Sequence, residues 1–358
     1  MRKTLIRQET VELLESNITP TNPTFRKAVG RNRMAIHVGS RNICEISTLL
    51  ARGFWRYTDW AYWSVMTADP SWLCERHTWK LDYEDPDGRE FKMMDDIVRE
   101  SEVVHLSSYN THAFLKRTES NLRGRAKMVI HHHGGRLRGH GEIAEKELAA
   151  GYTVLVSTPD LLLTAPRATW LPSPISLEEL DHTYFGWEAD PSRFVVGHGY
   201  TVAENKGTYN FARAMSEVTR RGKIELLPWH GIRRPQSLWL MSQCDAYFAS
   251  FLYGPGVGAY EAMAFGIPVL CGCSREELYW QREALGVERT DDLPWIFVES
   301  NTVADWVRML ATDPGLCKHW GAKGRAYVEE YHDVPKVVER LKAIYEAAEP
   351  CREVLWDV

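Results

Sequence analysis

Short, mostly apolar runs alternate along the chain with stretches in which apolar residues return every three or four positions. The runs are rich in β-branched side chains and lie at 34–39, 102–107, 127–132, 152–157, 193–198, 223–228, 244–249, 267–271 and 294–298. The periodic stretches lie at 42–52, 90–101, 141–150, 206–221, 235–243, 258–266, 274–285 and 302–312. The first pattern is typical of buried strands and the second of amphipathic helices. Their alternation predicts an α/β fold with parallel sheets covered by helices on both faces.

The alternation is interrupted between about 172 and 192, where prolines replace the strand pattern. We interpret this segment as a hinge, because domain boundaries fall in such proline-rich connections. Two doubly wound, Rossmann-like domains facing a cleft are therefore expected, followed by C-terminal helices. The predicted divisions are an N-terminal arm at 1–33, domains at 34–180 and 181–333, and a final helix and tail at 334–358 that cross back to the first domain.

The composition fits this organisation and narrows the class of protein. With 358 residues, 44% of them hydrophobic and 25% charged, the chain is long enough for two cores. No apolar run reaches the length of a membrane span, and acidic residues stand where a signal peptide needs its apolar stretch. The seven cysteines show no C-x-x-C spacing, which is typical of buried thiols in a reducing compartment. We therefore expect a cytoplasmic protein without integral membrane association.

A basic segment stands out against the net charge of −5. The overall charge argues against a protein that coats nucleic acid. Between 116 and 138, however, a single acidic residue opposes seven basic ones, which are Lys116, Arg117, Arg123, Arg125, Lys127, Arg136 and Arg138. The segment is either a solvated helix and loop or a surface that attracts an anionic ligand.

A glycine-rich loop, YGPGVG at 253–258, separates one predicted strand from the helix AYEAMAF. Glycines there allow backbone N–H groups to approach an anion at the helix N-terminus, as binding of a diphosphate requires. Glu261 lies one turn into that helix among apolar neighbours. A buried carboxylate needs donors, and these are the two hydroxyls of a ribose, backbone N–H groups or an arginine.

A second loop, HGYTVAENKG at 198–207, brings Lys206 and Gly207 to the start of another predicted helix. An ammonium at that place would meet the phosphate that leaves with a nucleotide. The loop is not a P-loop, because G-x-x-x-x-G-K-[ST] occurs nowhere in the chain.

A third loop, HHHGGRLRG at 131–139, offers histidines and arginines after a predicted strand. Because successive strand residues face opposite ways, His131 and His133 share one face and His132 points to the other. A zinc site would need a further ligand, and none stands nearby in sequence. A loop histidine that hydrogen-bonds a polar ligand is therefore favoured over a metal site.

Two other features have less specific explanations. Asp85-Pro86-Asp87 would hold a divalent metal in another transferase architecture, but Gly88 after it is typical of an ordinary turn. Aromatic residues crowd 54–79, among them Trp60 and Trp63. Such density is typical either of core packing or of a flat surface for the sugar ring or base of an acceptor.

Together the three loops resemble the retaining GT-B glycosyltransferases of glycosyltransferase family 4, the sucrose synthase and mannosyltransferase type. The similarity is clearest over about 193–271. There FVVGHGYTVAENKGTYNFARA resembles the strand, loop and Lys-Gly segment of the family, and CDAYFASFLYGPGVGAYEAMAFGIPVLCG resembles its E-x7-E helix and the signature that follows. Upstream, KMVIHHHGGRLRG is similar to the His-Gly loop of the family.

The resemblance implies roles for the matching positions. Glu261 would bind the ribose hydroxyls, Lys206 the diphosphate, and His133 the donor sugar near the reacting centre. Gly39 and Ser40 match the glycine loop that faces the diphosphate from the other domain. The remaining donor-binding residues would be His198, Gly207, Tyr253, Gly256, Val257, Gly258 and Ala259. The first domain would bind the acceptor through Trp60, Trp63, Arg136 and Arg138.

Two departures from the family pattern change these expectations. Tyr253 stands eight positions before Glu261, where the family has its first glutamate. A phenol supplies no charged acceptor to a sugar hydroxyl, so this contact with the donor sugar must differ. The basic residue that often precedes the lysine is also missing, so Lys206 would share the diphosphate charge with His198, the helix N-terminus, or arginines such as Arg136 and Arg138.

The resemblance thus implies a glycosyltransferase that moves a sugar from a nucleoside diphosphate donor, such as a UDP-sugar, to a hydroxyl acceptor. Retention of configuration and independence of metal ions or other cofactors are expected. Glu261→Ala or Lys206→Ala is expected to abolish turnover and leave the fold intact. The acceptor stays open between a glycan, a lipid, a small molecule and DNA with hydroxymethylated bases. A non-catalytic sugar-nucleotide-binding protein and a sugar-nucleotide epimerase are the alternatives from other classes.

Overall fold

The structure is a computed structural model that describes residues 31, 33–39, 45–66, 79–80, 89–107, 112–183, 192–220 and 222–355. Residues 1–30 of the predicted N-terminal arm, Ser40 and the Asp85-Pro86-Asp87 turn lie outside these residues. Contacts group the chain into two compact units. Unit 1 comprises 1–157, 167–171 and 338–358, and unit 2 comprises 158–166 and 172–337.

Unit 1 is built on a parallel sheet of seven strands in the order β3-β2-β1-β4-β5-β6-β7. The strands are β1 Arg33–Gly39, β2 Trp60–Met66, β3 Trp79–Lys80, β4 Val103–Ser107, β5 Lys127–His132, β6 Thr153–Val156 and β7 Thr169–Trp170. Its helices include α1 Ile46–Tyr57, α2 Arg89–Glu100, α3 His112–Leu122 and α4 Gly141–Ala149. The strand order reverses between β1 and β4, and ligands of doubly wound sheets bind at the carboxyl ends of the two strands that flank such a point.

Unit 2 has a parallel sheet of five strands in the order β12-β11-β10-β8-β9. The strands are β8 Phe194–Gly199, β9 Ile224–Trp229, β10 Ala246–Ser250, β11 Val269–Cys271 and β12 Ile296–Phe297. The helices are α5 Leu177–Thr183, α6 Thr208–Thr219, α7 Arg234–Met241, α8 Val257–Ala264, α9 Arg275–Leu285, α10 Val303–Thr312 and α11 Pro314–Tyr331. The order reverses between β8 and β10, so a ligand site is expected above those two strands.

A last helix, α12 Val334–Ala347, follows α11, and from Val338 onward it belongs to unit 1. Tyr345 is fully buried there, and its ring stacks on Phe54 at 5.6 Å between centroids. The tail continues the attachment, since the backbone N–H of Cys351 donates to the carbonyl of Ala126 at 3.0 Å. The C-terminal segment therefore completes the core of unit 1.

The prediction of two Rossmann-like parallel sheets with C-terminal helices is confirmed. The nine predicted strands all form, but β2, β3 and β7 were not predicted. In β2, Trp60 and Tyr62 are 0% and 1% exposed, although the aromatic stretch was also interpreted as a flat acceptor surface. Central parallel strands are covered on both faces and lack the alternation that marks a strand with one wet face, so this aromatic strand was not recognised.

Helix ends in unit 2 differ in how their first N–H groups are satisfied. In α9, Ser274 caps the helix by accepting from the N–H of Glu277, whose carboxylate accepts from the N–H of Ser274 in return. This capping box satisfies donors that every helix leaves without intrahelical acceptors. In α8, by contrast, the N-cap residue is Gly256, which has no side chain to act as a cap. The first turn of α8 therefore offers its N–H groups to a ligand.

Candidate functional site

The loops that follow β8 and β10 meet at the switch point of unit 2. After β8 the chain forms a short 3-10 turn at Glu204–Lys206, and Gly207 then takes a left-handed φ of +69° to begin α6. The N–H of Phe251, just after β10, donates to the carbonyl of Lys206 at 3.1 Å. This bond fixes the lysine loop against the start of the glycine-rich loop, as the sequence predicted from their positions at strand ends.

The lysine side chain lies beside the uncapped end of α8. A Cβ built on Gly256 would have the Lys206 ammonium, 3.9 Å away, as its nearest neighbour. The helix N-terminus carries partial positive charge on its free N–H groups, and the ammonium adds a full one. The ammonium and the backbone N–H groups of Val257 and Gly258 thus give this place positive charge and hydrogen-bond donors, which are what a phosphate requires.

The glycine-rich loop is held in an unusual backbone conformation. Tyr253 has a φ of +66°, which non-glycine residues seldom adopt, and Gly254 follows at +74°. The buried Gln281 supports the turn, since a Cβ on Gly254 would lie 2.5 Å from its side-chain nitrogen. The N–H of Gly254 also donates to the carbonyl of Gly272 at 3.2 Å. Strain of about 1–2 kcal/mol at a residue like Tyr253 is kept where the surroundings fix it, as at binding loops.

Glu261 is buried on α8 and pairs with an arginine. The Nε of Arg234, at the start of α7, donates to Oε1 of Glu261 at 2.8 Å, and the two side chains are 8% and 7% exposed. The arginine was one of the three donors left open by the sequence, and the structure selects it. A carboxylate has two oxygens and about four acceptor sites, which is more than the single N–H of Arg234 occupies.

A tyrosine lies over the same turn of α8. The hydroxyl of Tyr247, in β10, donates to the carbonyl of Gly199 at 3.3 Å, and it would lie 2.9 Å from a Cβ on Gly258. Burial raises the pKa of Tyr247, and the charge of Glu261 raises it further. A side chain at position 258 would therefore clash with Tyr247, so close packing requires a glycine there. Tyr247 is a neighbour of the site that the sequence patterns did not reveal.

His198 does not supply the positive charge that was expected of it. Its Nδ1 donates to the carbonyl of Phe248 at 2.9 Å, and its Nε2 is 2.8 Å from the hydroxyl of Thr208. The carbonyl can only accept, so Nδ1 carries a proton. Burial lowers the pKa of His198 to about 4, and the charge of Lys206 lowers it as well. His198 is thus a positioning residue for the loop, which is a correction to its predicted role.

We expect acid to destabilise the protein through His198. In the unfolded state the imidazole binds a proton below about pH 6.5, whereas in the native state it binds one only below about pH 4. Unfolding therefore takes up a proton between these values, and His198 costs stability as pH falls, by up to about 3 kcal/mol at pH 4. His198→Asn keeps a donor for Phe248 without the titration. Its melting temperature should fall less than that of wild type between pH 7.5 and 4.5, and an equal fall would refute the assignment.

In unit 1 the switch point carries a row of buried histidines. His37 of β1 is the register partner of His105 of β4, and their rings stack at 4.2 Å between centroids. Ser107, two residues on, is the partner of His131 of β5. Burial lowers the pKa of all three imidazoles, that of His37 to about 3, so the row is neutral at ordinary pH. His37 and His105 were not predicted, because only the register reveals that they are neighbours.

His133 continues this row where β5 ends. Its ring lies 4.2 Å from that of His131, which confirms that these two histidines share a face. His132 points the other way, and its Nε2 is 2.7 Å from the buried carboxylate of Glu147. The Nε2 of His133 is 3.2 Å from the hydroxyl of Ser107. Burial lowers the pKa of His133 to about 4, so it acts as a neutral hydrogen-bonding group.

The residues expected to bind an acceptor fall into two groups. Arg138 lies by the His-Gly loop, since a Cβ on Gly134 would be 2.5 Å from its guanidinium, and Arg136 is half-buried in the same loop.

Trp60, however, is fully buried in β2 and carries the guanidinium of Arg33 over its ring at 4.1 Å. Trp63 is half-buried and donates to the sulfur of Met34 at 3.1 Å. Trp60 is therefore a core residue, which corrects its prediction as an acceptor contact.

Three of the seven residues of the basic segment are used within unit 1. Arg117 pairs with Asp95 at 2.9 Å. Arg125 donates to the carbonyl of Val98 at 2.8 Å, and Lys127 to that of Tyr345 at 3.1 Å. These side chains hold helices and the C-terminal segment in place. The anionic-ligand interpretation therefore loses part of the charge on which it was based.

The other predicted positions are placed as follows. Gly39 ends β1, is buried, and pairs with Met66 in register. Ala259 is buried in the first turn of α8, where its N–H donates to the carbonyl of Gly256 at 2.9 Å. Among the described residues, no group of three or more His, Cys, Asp or Glu side chains is arranged to hold a metal ion. Within the same residues, no helix is long and apolar enough to cross a membrane.

Comparison with known proteins finds similarity in structure and none in sequence. No family model matches the chain, and no curated protein sequence does. An alpha-glucosyltransferase solved with UDP and a 13-mer DNA containing a central A:G mismatch has a TM-score of 0.65 at 11% identity, covering 88% of this chain and 100% of the other. HepE from Anabaena, solved with UDP and glucose, has a TM-score of 0.59 at 12% identity over 88% and 100% of the two chains.

A glycosyltransferase from Rickettsia africae is also similar, with a TM-score of 0.58 at 11% identity over 88% of this chain and 98% of the other. At these identities the likeness establishes the fold alone. The two parallel-sheet units have the architecture of the GT-B glycosyltransferases, and the predicted fold class is confirmed.

Proposed function

We propose that the protein is a glycosyltransferase that uses a nucleoside diphosphate sugar, and specifically a UDP-sugar, as its donor. The observation that carries the proposal is the ammonium of Lys206 beside the uncapped N-terminus of α8, at the switch point of unit 2. This place suits a diphosphate by charge and by the donors that it offers. The structural neighbours solved with UDP or UDP-glucose support the choice of nucleotide.

The same residues suit the chemistry of the leaving group. As the bond between the sugar C1 and the diphosphate oxygen breaks, negative charge grows on the diphosphate, and Lys206 and the helix N-terminus stabilise it. The acceptor oxygen forms the new bond to C1, and its proton passes to the departing phosphate on the same face. Retention, independence of a metal ion and membership of family 4 are parts of this proposal that rest on the sequence resemblance.

We propose that Glu261 binds the hydroxyls of the ribose. The arginine fixes the carboxylate through Oε1, so its orientation is set before the nucleotide arrives. Hydrogen bonds from hydroxyls to a charged acceptor contribute about 1.5–3 kcal/mol each. A preorganised carboxylate would make that contribution at a lower entropic cost.

Binding of the donor is expected to raise the melting temperature, since a ligand that binds only the native state stabilises it. UDP-glucose should do so more than GDP- or ADP-sugars. Gly256→Ala should abolish most of this shift, because its methyl group would occupy the space beside the Lys206 ammonium where a phosphate would bind. Gly256 has a φ of −116°, which alanine adopts without strain. We expect an affinity loss of about tenfold or more at a cost in stability below about 1 kcal/mol.

A matched variant separates the ligand from the helix. Gly256→Ser supplies the side-chain cap that α8 lacks, so it should stabilise the free protein while competing with the phosphate for the same N–H groups. If both variants bind UDP-glucose as wild type does, the anion site is elsewhere. Binding without slow donor hydrolysis would favour a non-catalytic sugar-nucleotide-binding protein, and conversion of the donor without any acceptor would favour an epimerase.

DNA with a modified base is a second candidate for the acceptor, and one observation favours it. An alpha-glucosyltransferase solved with UDP and DNA containing an HMU base has a TM-score of 0.63 with this structure. The pairing of Arg117, Arg125 and Lys127 within unit 1 counts against a broad basic surface. Transfer of radiolabelled glucose to duplexes with and without hydroxymethylated bases decides this, and an affinity that falls with salt would support phosphate contacts.

A further inference from the structure

The peptide between Pro255 and Gly256 is the part of the glycine-rich loop that the local sequence leaves free to turn. The loop is fixed just before it, because the N–H of Gly254 donates to the carbonyl of Gly272 at 3.2 Å. Proline restricts only its own φ, and glycine accepts nearly any φ, so neither side chain decides which way this peptide faces. Its orientation must therefore come from a hydrogen bond to another part of the fold.

Tyr260 supplies this hydrogen bond from the buried side of α8. Its hydroxyl donates to the carbonyl of Pro255 at 3.0 Å, and the direction of the bond is fixed because a carbonyl can only accept. A helical side chain leans toward the helix N-terminus, which brings the Tyr260 hydroxyl back to the loop. The ring is 0% exposed and stacks on the buried His332 at 3.9 Å between centroids. Burial raises the pKa of Tyr260, so the hydroxyl keeps the proton that it donates.

The planarity of the peptide turns this bond into an orientation for the next N–H group. In a trans peptide the carbonyl and the following N–H point in opposite directions, and the described residues contain no cis peptide bond. Because the Pro255 carbonyl is directed at Tyr260 in the core, the N–H of Gly256 points away from that core. Gly256 is half-buried, and its N–H has no acceptor in the part of the chain that the structure describes.

We propose that Tyr260 is a positioning residue that directs the N–H of Gly256 into the anion site formed by the Lys206 ammonium and the N–H groups of Val257 and Gly258. Three successive N–H groups and the ammonium then bind the same anion. The class of ligand is a phosphate or diphosphate, and its identity as the diphosphate of a sugar nucleotide rests on the proposed function. Without the hydroxyl the peptide can turn, and the third donor is lost for part of the time.

The Gly256 amide can be observed almost alone in the full-length protein. Pro-Gly occurs only at 255–256 and 314–315, so labelling with ¹³C-carbonyl proline and ¹⁵N-glycine selects the amides of Gly256 and Gly315, and loss of one signal in Gly256→Ala assigns them. We expect inorganic pyrophosphate, and likewise UDP, to shift the Gly256 signal and to leave the Gly315 signal in place. Pyrophosphate binding without a shift of the Gly256 signal overturns the proposal, and so does a protein that binds no pyrophosphate.

Tyr260→Phe tests the hydrogen bond itself, because it keeps the stacked ring and removes only the hydroxyl. The affinity for pyrophosphate and for UDP should fall by about 3- to 10-fold, which is the effect of one neutral hydrogen bond. The Gly256 signal of the free protein should also move. Unchanged affinity in Tyr260→Phe would contradict the proposal, and if this variant does not fold, the titration of the wild-type protein still decides.

Tyr152→Phe is the matched control. Its buried hydroxyl accepts from the N–H of Leu355 at 3.0 Å in unit 1, so removing it should leave both affinities unchanged. An equal loss of affinity in both variants would show that the effect is not specific to Pro255, which also overturns the proposal. Pyrophosphate binding that depends on Tyr260, in a protein that transfers no sugar, would refute the proposed function and leave this inference standing.

Discussion

Lys206→Ala is expected to lower kcat for transfer from UDP-glucose by about 10²–10³-fold, the effect of removing one donor that stabilises developing negative charge. The ammonium lies at the uncapped N-terminus of α8, where it would meet the leaving diphosphate. The fold should be retained, because Lys206 is held through its backbone carbonyl, which accepts from Phe251 and is unaffected by the substitution.

A control and an internal reporter accompany this variant. Lys318→Ala removes an exposed lysine from α11 in the same unit and should leave kcat unchanged. His198 reports on the ammonium independently of activity, since the charge of Lys206 lowers its pKa. In Lys206→Ala the pKa of His198 should rise above its value of about 4. If the pKa of His198 rises in Lys206→Ala but kcat stays at the wild-type value, the ammonium lies near His198 as described and has no part in catalysis.

The lysine and glycine loops could be predicted to meet because both follow strands of one parallel sheet. The carboxyl ends of such strands lie along one edge, and ligands bind where the strand order reverses. Lys206 follows β8 and Gly256 follows β10, and these strands pair with each other. The positions of the two loops could thus be predicted without any knowledge of side-chain contacts.

The row of buried histidines in unit 1 could not be predicted in the same way. His37 and His105 lie in strands far apart in sequence, and only the register of β1 against β4 makes them partners. A weak signal was present, because MAIHVG and EVVHLS each place a histidine near the end of an apolar run. A polar ring in a strand buried on both faces needs a partner, so two such strands together indicate a shared network.

His198 shows why residue type alone misleads. A histidine at the end of β8 beside a lysine loop suggests an additional cation for a diphosphate. Its two ring nitrogens are instead bonded to Phe248 and Thr208, and burial keeps the ring neutral. Whether an imidazole is charged depends on its hydrogen-bond partners and burial, and these come from packing that sequence spacing does not report.

Glu261→Ala is expected to destabilise the protein by about 3–5 kcal/mol, which is the cost of leaving a buried charge without its partner. The partner is Arg234, whose side chain is 8% exposed. Arg234→Ala should destabilise the protein by a similar amount, because it leaves the buried carboxylate of Glu261 without this arginine. This prediction replaces the expectation that Glu261→Ala leaves the fold intact, because the sequence left an arginine open as a partner but did not identify Arg234. Chemical denaturation followed by fluorescence and circular dichroism measures both losses.

An exposed ion pair of the same unit provides the control. Arg193 and Glu225 are 2.8 Å apart, but their side chains are 54% and 45% exposed. Glu225→Ala should cost less than about 1 kcal/mol, since water solvates the arginine that remains. Equal losses for Glu225→Ala and Glu261→Ala would show that burial does not determine the cost.

The double variant Arg234→Met/Glu261→Leu separates structure from ligand binding. Apolar residues of similar volume often replace a buried ion pair without loss, so the double variant should be more stable than either single alanine variant. If Glu261 binds the ribose, the affinity of the double variant for UDP should still be at least about tenfold lower than that of wild type, because no carboxylate remains to accept from the hydroxyls. If the double variant binds UDP as tightly as wild type does, the carboxylate of Glu261 is structural and does not bind the ribose. Calorimetric titration with UDP therefore decides between a ribose-binding carboxylate and a structural one, whichever way stability responds.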